Sequence, residues 1–219
     1  MKIWVVIPAF NEAENIEKVV REVREKSFPV IVIDDGSSDG TSLKAVKAGA
    51  EIVLKNKRNM GKGASLRRAF NYIIKNKLDC EAIIIMDADA QHLPQELGLF
   101  IEKLNKGSHF IVGNRLFFPS GMPLVRFFTN KIMSYIISKK VKQNIPDTQC
   151  GFKAIKREVF ESLNLTTSKY EIDSELVIKS AFLGYKIDSV PIKSIYRRQK
   201  SKINPFLDTL RFIRFILSI

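Results

Sequence analysis

Short, mostly apolar runs punctuate the first half of the chain: IWVVI (3–7), VIVI (30–33), EIVL (51–54), AIIIM (82–86) and FIVG (110–113). They are too short for helices and largely uninterrupted, as expected of strands covered on both faces. Between them, residues 13–26, 41–49, 62–76 and 94–105 carry apolar positions at helical spacing. Strand–helix alternation of this kind predicts an α/β fold, a mainly parallel twisted sheet with helices on both faces. Ligands of such sheets bind beyond the carboxyl ends of the strands. That rule lines up PAFNE (8–12), DDGSSDGT (34–41), DADAQ (87–91) and GNR (113–115) along one rim.

The second half has a different pattern. Residues 123–141, PLVRFFTNKIMSYIISKKV, set Leu124, Phe128, Ile132 and Ile136 on one helical stripe, widened by Phe127, Met133 and Ile137. Residues 205–219, PFLDTLRFIRFILSI, are apolar apart from Asp208, Thr209, Arg211, Arg214 and Ser218. Neither reaches the roughly 18 uninterrupted apolar residues of a spanning helix. Both stripes either pack on the sheet or lie in a membrane interface with basic residues at the headgroups; for 205–219 a membrane or partner-helix contact is the expectation. The pattern runs to Ile219 without a stop signal, which leaves open a spanning segment beyond it. The organisation expected is one domain over 1–204, including the 123–141 helix, and a basic-apolar C-terminal helix over 205–219.

The 219 residues and 45% hydrophobic content exclude a disordered chain and suit a single large core. The N-terminal MKIWVVIPAF reads as a first strand rather than a signal peptide. Cys80 and Cys150 stand in no metal-ligand or CxxC spacing and read as reduced thiols of a cytosolic protein. The 36 Lys and Arg against 23 Asp and Glu give a net charge of +13, which calls for an acidic partner.

Two aspartates, Asp87 and Asp89, close the AIIIM run. On a continuing strand they would project to the same side, and two carboxylates so placed need a cation or proton between them. Mg2+ or Mn2+ on Asp87 and Asp89, with Gln91 as a neutral oxygen, is the natural resolution; helix capping plus a solvated turn acid is the plainer one. Asp34, Asp35 and Asp39 repeat the theme after the second strand. Asp39 or Thr41 would cap the next helix, whereas capping does not account for all three acids. A carboxylate just after a strand accepts hydrogen bonds from a nucleotide's base or ribose. RNMGKGAS (58–65) fails the phosphate-loop pattern, and no GxGxxG follows the first strand, which disfavours kinase-like and NAD chemistry. Lys62, at a helix start, either meets a phosphate or faces solvent.

Taken together, VVIPAFNEAENI, VIVIDDGSSDGT, NMGKGAS, MDADAQHLP, VGNR, DTQCGFKAIKREVF, YEIDSELVIKSAFLGYKIDSVPI and YRRQKSK resemble the family-2 glycosyltransferases, over about residues 3–202. Among these the order and spacing look like the dolichyl- or polyprenyl-phosphate mannose (or glucose) synthase branch. The resemblance implies a GT-A type nucleotide-sugar-binding domain and a divalent cation. It places the nucleotide sugar at Pro8, Phe10, Glu12, Ile33, Asp35, Lys62, Asp87, Ala88, Asp89, Gln91, Arg197, Arg198 and Lys202, and the metal at Asp87, Asp89 and Gln91. Relatives often have Tyr at Phe10, so stacking without a hydroxyl contact is expected there. Arg115 and Arg126 match arginines that receive a lipid phosphate, with Asn130 where relatives often carry Ser. Asp173 and Glu175 match an acidic pair on the sugar side, and YRRQKSK matches a loop over the donor, without its usual glycine.

The resemblance therefore implies a hexosyltransferase moving a sugar from a GDP-mannose- or UDP-glucose-type donor to dolichyl or polyprenyl phosphate, with inversion. The metal and Lys202 would neutralise the leaving diphosphate while Arg115 and Arg126 orient the acceptor. It would work at the cytoplasmic face of the membrane, where each basic residue near an anionic surface contributes about 1 kcal/mol, with room for self-association or a separate membrane anchor. A saccharide or protein acceptor is the alternative, with Asp173 or Glu175 as general base. A nucleic-acid-binding protein is the distant one; it leaves the paired acids without a role, and nucleic acid is not an expected partner.

Overall fold

The computed structural model describes residues 1–196 and 205–218. Seven strands, β1 (Ile3–Ala9), β2 (Val30–Asp34), β3 (Ile52–Lys55), β4 (Ala82–Ile85), β5 (Phe110–Asn114), β6 (Lys153–Lys156) and β7 (Ile187–Pro191), form one sheet in the order β3-β2-β1-β4-β6-β5-β7. The helices are α1 (Ile16–Arg24), α2 (Thr41–Lys47), α3 (Lys62–Lys75), α4 (Leu97–Asn105), α5 (Leu124–Val141), α6 (Arg157–Ser162), α7 (Ile172–Phe182) and α8 (Pro205–Ser218). The central strands are apolar because both faces are covered: Val5, Val6, Ile7, Ile31, Val32, Ile83 and Ile84 have no solvent exposure. Helix α1 shows the helical counterpart. Ile16, Val19, Val20 and Val23 form its buried stripe, with Glu17 in the first turn and Arg21 and Arg24 in the last, where each favours the helix dipole. This is the α/β, mainly parallel, two-sided architecture that the strand–helix alternation predicts.

One strand breaks the parallel pattern. β6 runs antiparallel to both β4 and β5. Its amino end therefore reaches the rim where the other strands deliver their carboxyl ends. The register pairs Lys153 with Ile85, two residues before Asp87. The pattern of apolar runs does not reveal KAIK as a strand, because lysines occupy both ends.

Helix α5 corrects one alternative. Its apolar stripe does not pack on the sheet: Leu124, Phe128 and Ile132 are 74, 57 and 59% exposed. The inward face instead carries Asn130, Ser134, Ile137 and Val141. Helix α8 places Phe212 and Phe215 in the core, and the Lys140 ammonium donates to the Ile216 carbonyl at 2.9 Å. Among the described residues, no helix is long and apolar enough to cross a membrane.

Candidate active site

The rim loops are laced together before any ligand is considered. The Asp35 N–H donates to the Ala9 carbonyl at 2.8 Å, continuing the β1–β2 ladder. Residues 11–13 then bond across to the loop after β2: Asn11 N–H to Ser37 Oγ, Glu12 N–H to Thr41 Oγ1 and Ala13 N–H to Asp39 Oδ2, each at 2.9 Å. All three acids of DDGSSDGT have structural work. Buried Asp34 accepts from Ser37 N–H at 2.7 Å and from the Ser42 hydroxyl. Asp35 accepts from Asn56 Nδ2 (2.7 Å), Met60 N–H (2.9 Å) and Gly61 N–H (2.6 Å), pinning the loop before α3. Asp39 accepts from Thr41 N–H at 3.0 Å. Capping does not account for all three, as expected; Asp34 and Asp35 are engaged in building the loops instead. Glu12 accepts from Asn15 Nδ2 at 2.8 Å. Pro8 pairs in register with Ile33, and the Ile33 side chain is wholly in the core, so it offers no side-chain contact to a nucleotide. Phe10 is half-buried on the same rim, and Ala88 is buried.

After β4 the chain does not continue extended. Met86 N–H makes the last bond to β1, at Val6 O (3.0 Å); then Ala90 takes a left-handed φ of 57° and Gln91 N–H donates to Asp89 Oδ1 at 3.0 Å. Asp87 and Asp89 thus sit on a turn, not side by side on a strand. Their surroundings differ sharply. Asp87 Oδ1 lies 2.8 Å from Lys62 Nζ, which also meets Asp173 Oδ2 at 2.9 Å. Asp173 Oδ1 is in turn 2.6 Å from Lys153 Nζ, a fully buried ammonium that also donates to the Cys150 carbonyl. Burial pushes the Lys62 ammonium down, but Asp173 and then Asp87 outweigh it and hold it well above its ordinary range. Burial likewise disfavours an ionised Asp87, but Lys62 outweighs it and keeps that carboxyl well below the usual range. Lys62 is consequently a counter-ion to two carboxylates rather than a solvent-facing lysine, which corrects the second of the two readings of it.

Asp89 has no such partner: among the described residues, no cation stands within ion-pair distance of it. Burial, then the charge of Asp87, and further on Glu12, push its carboxyl up to about 6. A divalent cation would relieve that charge. Among the described residues, no three acid, His or Cys side chains converge as a ready-made cage. The donor set fits Mg2+ or Mn2+ in their usual manner, with few protein oxygens and the rest of the shell from water and phosphate. The two acids expected to share a cation are thus unlike: the Asp87 carboxylate is paired with Lys62, and the Asp89 carboxylate has no cation within ion-pair distance among the described residues. Gln91, half-buried, flanks it.

On the far side of β6, Arg115 is buried and held by Asp147: Nε to Oδ2 at 2.8 Å and Nη2 to Oδ1 at 3.0 Å. Arg126, at the start of α5, lies over the Tyr196 ring at 5.6 Å. Neither acid expected as a general base is available as one. Asp173 is held by two lysines. Glu175 accepts from the N–H and hydroxyl groups of both Thr166 and Thr167 at 2.6–2.9 Å and pairs with Lys179 at 2.6 Å. Arg197, Arg198 and Lys202 lie outside the described residues.

Pattern reading assigned no role to several residues that build the site. Gly151 is required because a Cβ there would run into the Asp87 carboxylate and come within 2.8 Å of Lys62 Nζ. Gly63 has the same function against the Thr167 carbonyl, 2.5 Å from its hypothetical Cβ. His92 stacks on Phe152, with ring centroids 5.0 Å apart, and its Nδ1 accepts from Asp87 N–H at 3.3 Å. Burial lowers His92 to about 4, so at neutral pH it is an uncharged acceptor that fixes the turn. The one available signal was the segment DTQCGFK, whose Gly and Lys fall where an antiparallel strand enters the rim.

The sequence pattern described as Glycosyl transferase family 2 matches residues 4–163. An uncharacterised protein of Methanocaldococcus jannaschii is 32% identical over 202 residues, 89% of this chain and 82% of that protein. A dolichol-phosphate mannosyltransferase of Pyrococcus furiosus is 29% identical over 217 residues, 93% of this chain but 59% of the relative. Among solved structures, glucosyl-3-phosphoglycerate synthase from Mycobacterium tuberculosis, with Mn2+, UDP and glucosyl-3-phosphoglycerate, superposes with a TM-score of 0.77 at 22% identity, covering 99% of this chain and 79% of that one. The expected polyprenyl-phosphate branch and lipid-phosphate partner are overturned by this likeness, which runs to a phosphoglycerate synthase. The motifs behind that expectation mostly build the rim and its buried ion pairs, and these do not specify an acceptor. At the level the matches establish, the chain belongs to the family-2 glycosyltransferases and is a glycosyltransferase of the GT-A type.

Proposed function

We propose that this enzyme transfers a hexosyl group from a nucleoside-diphosphate sugar, held with a divalent cation, to an acceptor bearing a phosphate group. The observation that carries the reading is the asymmetry at the end of β4: Asp87 is neutralised by Lys62, whereas Asp89 is largely buried, ionisable and without a cation. Asp89 and Gln91 would hold Mg2+ or Mn2+. The ion would supply charge neutralisation for a leaving diphosphate. The chain's own residues do the positioning. Lys62, Asp173, Lys153 and His92 hold the Asp87–Asp89 turn, and the laced loops at 8–13 and 34–41 present Pro8, Phe10, Glu12 and Asp35 to the nucleotide side. Arg126, with Arg115 braced by Asp147, faces the acceptor with positive charge. The printed names of two relatives support an anionic acceptor, since dolichol phosphate and phosphoglycerate share a phosphate group. The crystal of the latter synthase with Mn2+ and UDP supports the donor half.

The test is release of nucleoside diphosphate from a panel of GDP- and UDP-sugars with Mn2+, in the presence of phosphate-bearing acceptors. Asp89→Asn is expected to lower turnover by at least ~100-fold while the protein stays folded, on the scale of losing one transition-state contact. EDTA is expected to abolish turnover. Activity that survives EDTA, or an Asp89→Asn variant as fast as the wild type, would remove the metal from the account.

A further inference from the structure

The segment after β7 runs along both halves of the site. Ile192 N–H donates to the Asn114 carbonyl at 3.2 Å, beside Arg115, and Ile195 N–H donates to the Gln91 carbonyl at 3.0 Å, on the Asp89 turn. Lys193 N–H closes the path onto Glu96 Oε1 at 2.7 Å. Tyr196 follows directly. Its ring lies under the Arg126 guanidinium at 5.6 Å. Its hydroxyl is buried and has no hydrogen-bond partner among the described residues.

A buried phenol without a partner is destabilising unless something else accepts its proton. Among the described residues nothing accounts for it: a phenylalanine would keep the ring and the cation–π contact. The environment is cationic and lies next to the turn that carries Asp89. An anionic oxygen placed there would meet Arg126 and the phenol together.

We infer that Tyr196 is a specificity-determining residue of the acceptor side, its hydroxyl donating a hydrogen bond to the anionic group of the acceptor beside Arg126. This deepens the proposed function and rests on its phosphate-bearing acceptor. The resting protein tolerates an unpaired hydroxyl, and the acceptor satisfies it. The hydroxyl is thus unfavourable for stability alone and favourable for binding. A purely structural tyrosine would behave in the opposite way.

The test uses the full chain, with Tyr196→Phe and, as a control, Tyr135→Phe at an exposed position on α5. Inorganic phosphate is titrated calorimetrically into each protein in EDTA, and thermal unfolding is followed without ligand. Tyr196→Phe is expected to bind phosphate about tenfold more weakly, the scale of one hydrogen bond to a charged group. Its Tm is expected to rise by about 2–4 °C as the unpaired hydroxyl is removed. Tyr135→Phe should match the wild type in both. Equal phosphate affinity in wild type and Tyr196→Phe, including no binding to either, would overturn the inference, and so would a fall in Tm. Binding of UDP and GDP with Mn2+ is measured in parallel and should be unchanged by Tyr196→Phe. If the wild type binds neither nucleotide, the donor reading fails, while the phosphate comparison still decides the role of Tyr196.

Discussion

Lys62 touches Asp87 and Asp173 at 2.8 and 2.9 Å with little exposure of its own, and it is the charge that keeps the Asp87 carboxyl ionised against burial. Deleting one member of a buried ion pair costs roughly 3–5 kcal/mol, because the remaining charge has no compensation. Asp173 keeps Lys153, so Asp87 bears most of the loss. Lys62→Met is therefore expected to reduce stability by about 3 kcal/mol at neutral pH, read as a lower urea midpoint with an unchanged slope. An unchanged midpoint would mean that Asp87 does not depend on Lys62. At this scale the sequence was legible in part. NMGKGAS announces a tight turn into a helix, but its glycines serve close backbone approach: Gly63 lies under the Thr167 carbonyl. The atoms that demand those glycines come from a segment about a hundred residues away, which no local pattern displays.

At the scale of elements, the loop at 165–168 links α3 to α7. Ala64 N–H donates to the Ser168 carbonyl at 3.2 Å, and Thr166 and Thr167 are gripped by Glu175 near the start of α7. Burial would raise the Glu175 carboxyl, but the Lys179 bond, then the Thr167 and Thr166 donors, hold it down at about 2, against an ordinary 4.5. A depressed carboxyl contributes stability above pH ~4.5 and loses it as pH falls toward 2. The contribution at neutral pH is on the order of 3 kcal/mol. Glu175→Gln is expected to lower stability by up to that amount at pH 7 and to flatten the decline between about pH 5 and 2. Parallel pH–stability curves for the two proteins would show that Glu175 is not the anchor.

Five strands of the first half were legible as short apolar runs, four of them largely buried and β3 half-buried, and four helices were legible from apolar positions at helical spacing. β6 and β7 were not. KAIK has lysines at both ends, and IDSVP alternates weakly, so neither contrasts with its surroundings. For β6 the omission mattered, since its antiparallel entry brings Gly151 and Lys153 to the rim. For α5 the pattern identified the helix and left its orientation open. The buried face turned out to be the one holding Asn130 and Ser134, with Ser134 accepting from Thr148 N–H at 2.9 Å.

Across the whole molecule, the net charge of +13 coexists with a rim in which, among the described residues, several cations are engaged by acids. Lys62, Lys153 and Arg115 each neutralise a buried acid. Among the described residues, the Asp89 carboxylate and the Arg126 guanidinium have no ion-pair partner there, and the proposed function gives them to the donor and the acceptor respectively. Total charge and motif content pointed toward an anionic substrate, and the pairing that decides which charges remain available needed the fold. In the proposed function the first half of the chain, where the family match is concentrated, would build the donor half of the site. The acceptor half would come from α5, β6 and the segment after β7, where sequence patterns said least.

The central claim is that Asp89, and not its neighbour, is the carboxylate that binds the cation together with a nucleoside diphosphate. Mn2+ binding followed by electron paramagnetic resonance, with UDP or GDP present, tests it in the wild type, Asp89→Asn and Asp87→Asn. The account predicts that Asp89→Asn weakens nucleotide-dependent Mn2+ binding by at least about tenfold, the lower bound for disturbing a metal's immediate surroundings, and that Asp87→Asn weakens it less. Wild-type Mn2+ affinity in Asp89→Asn, or a larger loss in Asp87→Asn, would contradict it.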